Sequence, residues 1–244
     1  MKRLLITYGT AAFFLMAFQS LKAQEIVHGQ TLYWIRYQNQ LIFSPKVFWN
    51  NEADNRRFVG HDVQNQLIFH SRVHYKTGRW DLATGVTYSF AYAAIPESGY
   101  NTAVDEFRPV VEASYEWPVK RSGIQMRLRA DNRFFQASPE RSVFTESDYV
   151  FRFRYRIQTR IPLKFNEDGI PKITLRLADE IMFNTEENFF DQNRIYATFD
   201  FMLSPSWSLE CGYIYIYQQK FARDEEFFSR NVLRFSVLHK IHLR

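Results

Sequence analysis

"FRFRYRIQTRIPLK", residues 151–164, alternates with almost no fault. Phe151, Phe153, Tyr155, Ile157, Ile161 and Leu163 fall on one side of an extended chain. Arg152, Arg154, Arg156, Gln158, Arg160 and Lys164 fall on the other, because successive side chains of a strand point to opposite faces. A charged face of this length is ordinary on the outside of a soluble sheet. It means something else if it lines the inside of a barrel.

The same period of two recurs from end to end, with little helical period. Apolar faces and breaker residues mark eleven strand candidates. They run over about 31–43, 46–57, 62–76, 79–92, 106–118, 122–136, 148–164, 171–184, 193–203, 206–219 and 229–243. Many exceed the 5 or 6 residues of an ordinary soluble strand, whereas a membrane-crossing strand needs about 9–11. Faces agree between segments. Ile124, Met126, Leu128 and Phe134 oppose Gln125, Arg127, Arg129, Asp131 and Arg133, and Trp207, Leu209, Tyr213, Tyr215 and Tyr217 oppose Ser208, Glu210, Gly212 and Gln218.

The first residues read as an export signal. Met1-Lys2-Arg3 is a basic start, Leu4 to Phe18 is largely apolar, and Ala23 is a cleavage point before Gln24. The expected division is therefore a signal peptide at 1–23 and one barrel domain at 24–244. Removing 1–23 takes away Lys2, Arg3 and Lys22 and no acid, leaving 28 basic against 26 acidic residues. A nucleic-acid role founded on charge loses its basis. Cys211 is the only cysteine, which excludes an internal disulfide framework. Aromatic residues make up 18% of the chain, while the mean hydropathy is −0.36. After the leader no apolar run approaches the roughly 18 residues of a membrane helix, so a helical membrane protein is excluded. A membrane barrel is not, since each strand is only half apolar.

Connections after odd-numbered segments are short (Ser44-Pro45, Thr77-Gly78, Ser204-Pro205), and those after even-numbered ones are longer, as at 93–105 and 137–147. Short turns at one end and long loops at the other suit an outer-membrane barrel with periplasmic turns. The expectation is an all-β, antiparallel up-and-down transmembrane β-barrel of about twelve strands, with ten as the alternative. An even count needs one more crossing, which residues 24–31 would supply. Strand length, bulky aromatics on the apolar face and export turn the arginine face inward. Trp34, Trp49, Trp80, Trp117 and Trp207, near strand ends, suit interfacial girdles.

Five stretches carry a resemblance: "YWIRYQNQLIFSPKVFWNNEADNRRF", "DEFRP", "YVFRFRYRIQTRIPL", "LADEIMFN" and "FFDQNRIY". Over about residues 31–243 the chain resembles the DUF2490 family of Bacteroidetes. The resemblance implies an exported outer-membrane β-barrel and implies no activity. Where related sequences tend to carry Glu-Arg-Phe, this chain has Asp131-Asn132-Arg133-Phe134. It ends Leu243-Arg244, without the terminal aromatic of many barrel assembly signals.

The lumen-facing candidates are Arg127, Arg129, Arg133, Arg152, Arg154, Arg156, Arg160, Arg176 and Arg194, with Glu106, Glu112 and Glu180 as acids; Arg230 and Arg234 share that face, as do Glu116, Asp131, Asp200 and Glu210. Such residues can interlock as Arg–carboxylate pairs and close the bore, since the guanidinium fork matches a carboxylate and keeps its charge. Because arginine outnumbers acid, they can instead form an anion passage or hold an anionic ligand. A lipid-modifying enzyme is the alternative in the same fold, with His70, His74, Ser71, Ser89 and Ser114 as the residues to weigh. No nucleophile elbow is present, and His70 and His74 stand about 13 Å apart on a strand, too far to share a metal. A soluble periplasmic barrel comes third. No catalytic residue, metal or cofactor is expected. The expected partners are outer-membrane lipid, the barrel-assembly machinery and a small anionic ligand, with no nucleic acid.

Overall fold

The computed structural model describes residues 26–243, except 62, 93, 97–101, 120–121, 139–141, 186–187 and 220–225. The expected export signal at 1–23 and its cleavage point lie outside the described residues. The described chain forms β1 (Ile26–Ile42), β2 (Val47–Phe58), β3 (Gln64–Thr77), β4 (Trp80–Ala91), β5 (Val104–Val119), β6 (Ser122–Gln136), β7 (Ser147–Phe165), β8 (Pro171–Asn184), β9 (Phe190–Met202), β10 (Trp207–Gln219) and β11 (Glu226–His242). Each strand pairs with its neighbours in sequence, and the sheet closes on itself as a barrel.

Closure explains the count. An even number is required only if every ladder is antiparallel. Here β1 and β11 pair in parallel, from Ile26↔Glu226 to Ile42↔His242, so eleven up-and-down strands complete the ring. Residues from Ile26 onward, expected to begin a separate short strand, instead continue β1. Closure leaves no sheet edge, which satisfies every ladder without an added crossing.

The short connections 43–46, 78–79, 166–170 and 203–206 share one end, where β5 also ends and β6 begins. The tightest of the described turns is the two-residue Gly78-Arg79 turn between Thr77 and Trp80. Gly78 has φ +59°, a left-handed conformation that a side chain disfavours. The C-terminal ends of β4 and β6, from which the longer connections leave, lie at the opposite end, as does the start of β1.

The faces segregate by chemistry in the sense opposite to a soluble barrel. In β7, Arg152 and Arg154 are 4% and 9% exposed, while Phe153 and Ile157 are 39% and 44% exposed. Ile35, Phe69, Val86, Leu128, Phe199, Leu233 and Phe235 are likewise exposed on the outer face. Trp49, Trp80, Trp117 and Trp207 face outward beside the short turns, where Trp80 meets Tyr115 at 4.9 Å and Trp207 stacks on His239 at 3.9 Å. Trp34 does not join them. It is 4% exposed and packs inside with Leu32, Tyr196, Ile214, Ile216 and Val232. The parity of β1 turns it inward together with Arg36, although its neighbours in sequence resemble an interfacial segment. No helix among the described residues is long and apolar enough to cross a membrane.

Two inward glycines make room for arginine. A Cβ on Gly85 would stand 2.0 Å from the Ser71 carbonyl oxygen and 2.9 Å from Cγ of Arg72, its cross-strand partner. Gly212 faces Arg234 across the β10–β11 ladder, and its Cβ would lie 2.4 Å from Cγ2 of Thr198. At these two positions the missing side chain leaves the room that the neighbouring residues occupy.

The parallel seam can be tested directly. With Cys211→Ser to remove the native thiol, Tyr33→Cys combined with Leu233→Cys should form an intramolecular disulfide on mild oxidation, since these residues are register partners. A strand intervening between β1 and β11 would put the two positions beyond the roughly 7 Å that a disulfide can bridge, and no gel shift would follow.

Candidate functional site: an arginine-lined lumen

Inward positions of neighbouring strands present Arg and acid at matching heights, and the ladders bring them into contact. One run of contacts circles the barrel. Asp200 on β9 meets Arg176 on β8, which lies 3.8 Å from Glu210 on β10. Glu210 lies 3.3 Å from Arg36 on β1, and Arg36 lies 3.3 Å from Glu52 on β2. Glu52 meets Arg72 on β3, which is 3.4 Å from Glu112 on β5. Glu112 is 3.7 Å from Arg127 on β6, and Arg127 is 2.6 Å from Glu180 on β8. Glu180 also holds Arg154 on β7 at 3.1 Å, and Arg154 reaches Asp131 at 3.5 Å. Asp131 holds Arg129 at 2.6 Å.

This ring stands at mid-height and its acids Glu52, Asp131, Glu180 and Glu210 are buried; Glu180 and Asp131 are wholly inaccessible, and Asp200 is partly exposed. Buried charges are tolerable only when paired and hydrogen-bonded. Glu180 meets that condition fully, accepting from Arg127, from Arg154 and from the Tyr196 hydroxyl at 2.8 Å. Toward the long-loop end a second group forms on the β4–β9 side. Glu106 accepts from Arg108 at 2.7 Å, from Ser89 at 3.2 Å and from Arg133. Asp191, brought inward by an irregularity in the β8–β9 register, contacts Arg152.

The opposite arc, β9–β10–β11–β1–β2, is different. Arg194 donates from Nε to Gln192 at 2.8 Å. Arg230 donates to Gln30 at 2.7 Å and Gln218 at 2.5 Å. Arg56 donates to Asp54 at 2.9 Å and to the side-chain oxygen of Gln66 at 3.0 Å. Between the two sides lies a cavity of about 530 Å³. It extends from Arg36, Glu52 and Arg127 in the ring to Tyr92, Ala94 and Gln219 at the long-loop rim. Described residues nearer the short turns, such as Phe48, His74 and Arg176, do not line it.

Of the expected lumen residues, Arg127, Arg129, Arg133, Arg152, Arg154, Arg156, Arg194, Glu106 and Glu180 line this cavity. Glu112 and Arg176 belong to the ring beneath it. Arg160 stands apart near the short turns, where it meets half-exposed Glu116. Arg36, Glu52, Asp54, Arg56, Arg108 and Asp191 are further charged members outside the expected set. Arg108 alternates with Phe107 and was legible by the same rule. The β2 residues were not, because their opposite face carries Asn51, Asn55 and Arg57 and blurs the pattern. The residues weighed for catalysis are separated. His70 turns inward to Thr87 at 2.6 Å, and His74 to Asp81 at 2.9 Å. Ser71 faces outward, accepting from the Trp49 indole at 2.8 Å and donating to Asn51 at 2.9 Å. Ser89 bonds Glu106, and Ser114 is buried on the inner face. Among the described residues no group of His, Cys, Asp and Glu is placed to hold a metal ion.

The family model described as "Protein of unknown function (DUF2490)" matches residues 31–227, and the chain belongs to that family. No curated protein and no solved structure matches it.

Two substitutions separate the ring from the rim. Glu180→Ala leaves Arg127, Arg154 and the Tyr196 hydroxyl without their acceptor, and should cost about 3–5 kcal/mol in denaturant unfolding of the detergent-solubilised protein. Glu116→Gln breaks a solvent-exposed pair and should cost less than about 1 kcal/mol. Equal costs would mean that the ring carries no special weight.

Proposed function

We propose that this DUF2490 protein is an outer-membrane β-barrel whose bore is closed by ion pairs and whose long-loop half receives an anionic ligand. The observation that carries the membrane reading is the inverted burial of β7, arginine in and phenylalanine out. In water the outer face would be a continuous apolar surface far larger than a monomeric soluble protein tolerates. In a bilayer it becomes the favourable face, and the soluble periplasmic alternative loses its support.

The dimensions agree. On β11 the outward residues between Asn231 and His239 are Leu233, Phe235 and Val237. Eight residues span about 26 Å along a strand, or about 20 Å along the axis at a tilt of about 40°. That approaches the roughly 25 Å apolar band of outer-membrane barrels. The outward Trp cluster beside the short turns supports an interfacial girdle on the periplasmic side. Polar pairs flank the band at the other end: Tyr149 donates to Asn132 at 2.8 Å, and Asn193 to Asp179 at 2.6 Å. Insertion of such a barrel calls for the assembly machinery and for contact with outer-membrane lipid.

The ring argues for a closed bore. Eleven strands fall between the small barrels that side chains fill and the large ones that leave a channel. Long arginine stems reach over an intervening strand and fill the lumen, as Arg127 on β6 does over β7 to reach Glu180 on β8. The excess of arginine above the ring, in a cavity of small-molecule size, argues for binding an anion there.

On cell fractionation the protein should be recovered with the outer membrane and should migrate faster on gels before boiling than after. Recovery in the soluble periplasm, with no change on boiling, would sink the membrane assignment. In planar bilayers the wild-type barrel should give no steady stepwise conductance. Persistent ohmic, anion-selective steps would show that the ring leaves a pore.

A further inference from the structure

The two sides of the cavity are not equivalent, and the difference points to a binding site. On the β4–β9 side each arginine of the upper group reaches a carboxylate: Arg108 and Arg133 reach Glu106, and Arg152 reaches Asp191. A barrel that used arginine only to seal itself would pair the other side in the same way. Instead Arg194 and Arg230 have no carboxylate within ion-pair distance among the described residues. The inward acid two strand positions above Arg230 is Glu226, and His28 lies 3.7 Å from it. Glutamine oxygens fix the two guanidinium groups but supply no negative charge. Both terminal nitrogens of Arg194, and Nη2 of Arg230, have no hydrogen-bond partner among the described residues. Each side chain lines the cavity and is only partly buried.

The same arc carries the apolar part of the lumen. Leu32, Ile216 and Phe228 line the cavity beside these arginines. So does Trp34, whose ring has the Arg56 guanidinium 3.8 Å and the Arg194 guanidinium 5.6 Å from its centroid. Arg230 lies over Phe228 at 4.4 Å. The arrangement places fixed donors and positive charge next to flat apolar surface, inside about 530 Å³. Water would satisfy the donors but would gain nothing from the apolar wall. A bare inorganic anion would use the donors and gain nothing from that wall.

We infer that the β9–β10–β11–β1–β2 arc binds a small organic anion, its phosphate or carboxylate held by Arg194 and Arg230 and its apolar body against Trp34 and Phe228. The inference rests on the arginine-lined lumen of the proposed function and specifies its ligand class and place. The cavity reaches the rim at Tyr92, Ala94 and Gln219 and not the outer apolar face, so the anion comes from the aqueous side and not from the bilayer. Guanidinium forks suit such an oxyanion because they bind it bidentately and hold their charge.

The test uses 1-naphthyl phosphate as a fluorescent probe of the intact barrel in neutral detergent, with 1-naphthol and inorganic phosphate as its two halves. The probe should bind saturably, at least tenfold more tightly than either half. Arg194→Gln with Arg230→Gln should weaken it at least tenfold, Arg194→Lys with Arg230→Lys by less, and Arg160→Gln not at all. Gel mobility before and after boiling reports whether each variant is folded, so lost binding in a heat-modifiable variant is not misfolding. Absence of probe binding to the folded wild type, or unchanged binding in the double Gln variant, would overturn the site. Naphthol binding as tightly as the phosphate would overturn the anion, and inorganic phosphate doing so would overturn the apolar wall. Failure of the membrane assignment shows separately, in fractionation, and leaves this measurement readable.

Discussion

The mid-lumen ring of alternating arginine and carboxylate is the contact on which the rest of the barrel depends. Its members come from β1, β2, β3, β5, β6, β7, β8, β9 and β10, so it ties together strands that share no ladder. Arg127 bonds Glu180 across 53 positions of sequence, and Arg36 bonds Glu210 across 174. Backbone ladders alone hold a barrel only through neighbours. The ring adds restraints between strands that are not neighbours, and the buried links among them feel each other's charge because the surrounding protein screens it poorly. The same chemistry makes it unforgiving, since any single deletion strands a buried charge.

Once the ring occupies mid-height, the space above and below it differs. Below, toward the short turns, Phe48 stacks on His74 at 4.3 Å, and His74 meets Asp81. Above, the lumen opens into the cavity, with compensated charge on one side and amide-held arginine beside an apolar cluster on the other. Inward Leu32, Trp34, Ile214, Ile216 and Val232 are unusual for a polar lumen, and their strands β1, β10 and β11 lie in the same arc as Arg194, Arg230 and Arg56. Packing and charge therefore divide the interior along the barrel's circumference as well as along its axis.

Much of this was readable from local pattern. The alternation at 151–164 gives both the strand and its two faces, because a period of two is a property of the extended backbone and needs no partner. The same holds for 122–136, where Arg127, Arg129 and Arg133 fall on the inner side. The reading faltered where the pattern was impure. In β2 both faces are polar, so Glu52, Asp54 and Arg56 carried no contrast to mark them. In β1, Trp34 sits among aromatic neighbours like those of an interfacial segment, and only its parity with Leu32 and Arg36 turns it inward.

The sequence by itself determined an all-β chain, long two-faced strands, an arginine-rich face and two ends of different loop length, since each follows from composition and spacing along one strand. The tertiary structure alone decided the eleven-strand count, because the parallel seam joins residues about 200 positions apart and has no local signature. It also decided which arginines are neutralised. Arg154 and Arg194 look alike in sequence, each an inward residue of an alternating strand. Register sets Glu180 opposite Arg194, yet its oxygens accept from Arg127, Arg154 and the Tyr196 hydroxyl, so Arg154 is neutralised and Arg194 bonds only the amide of Gln192.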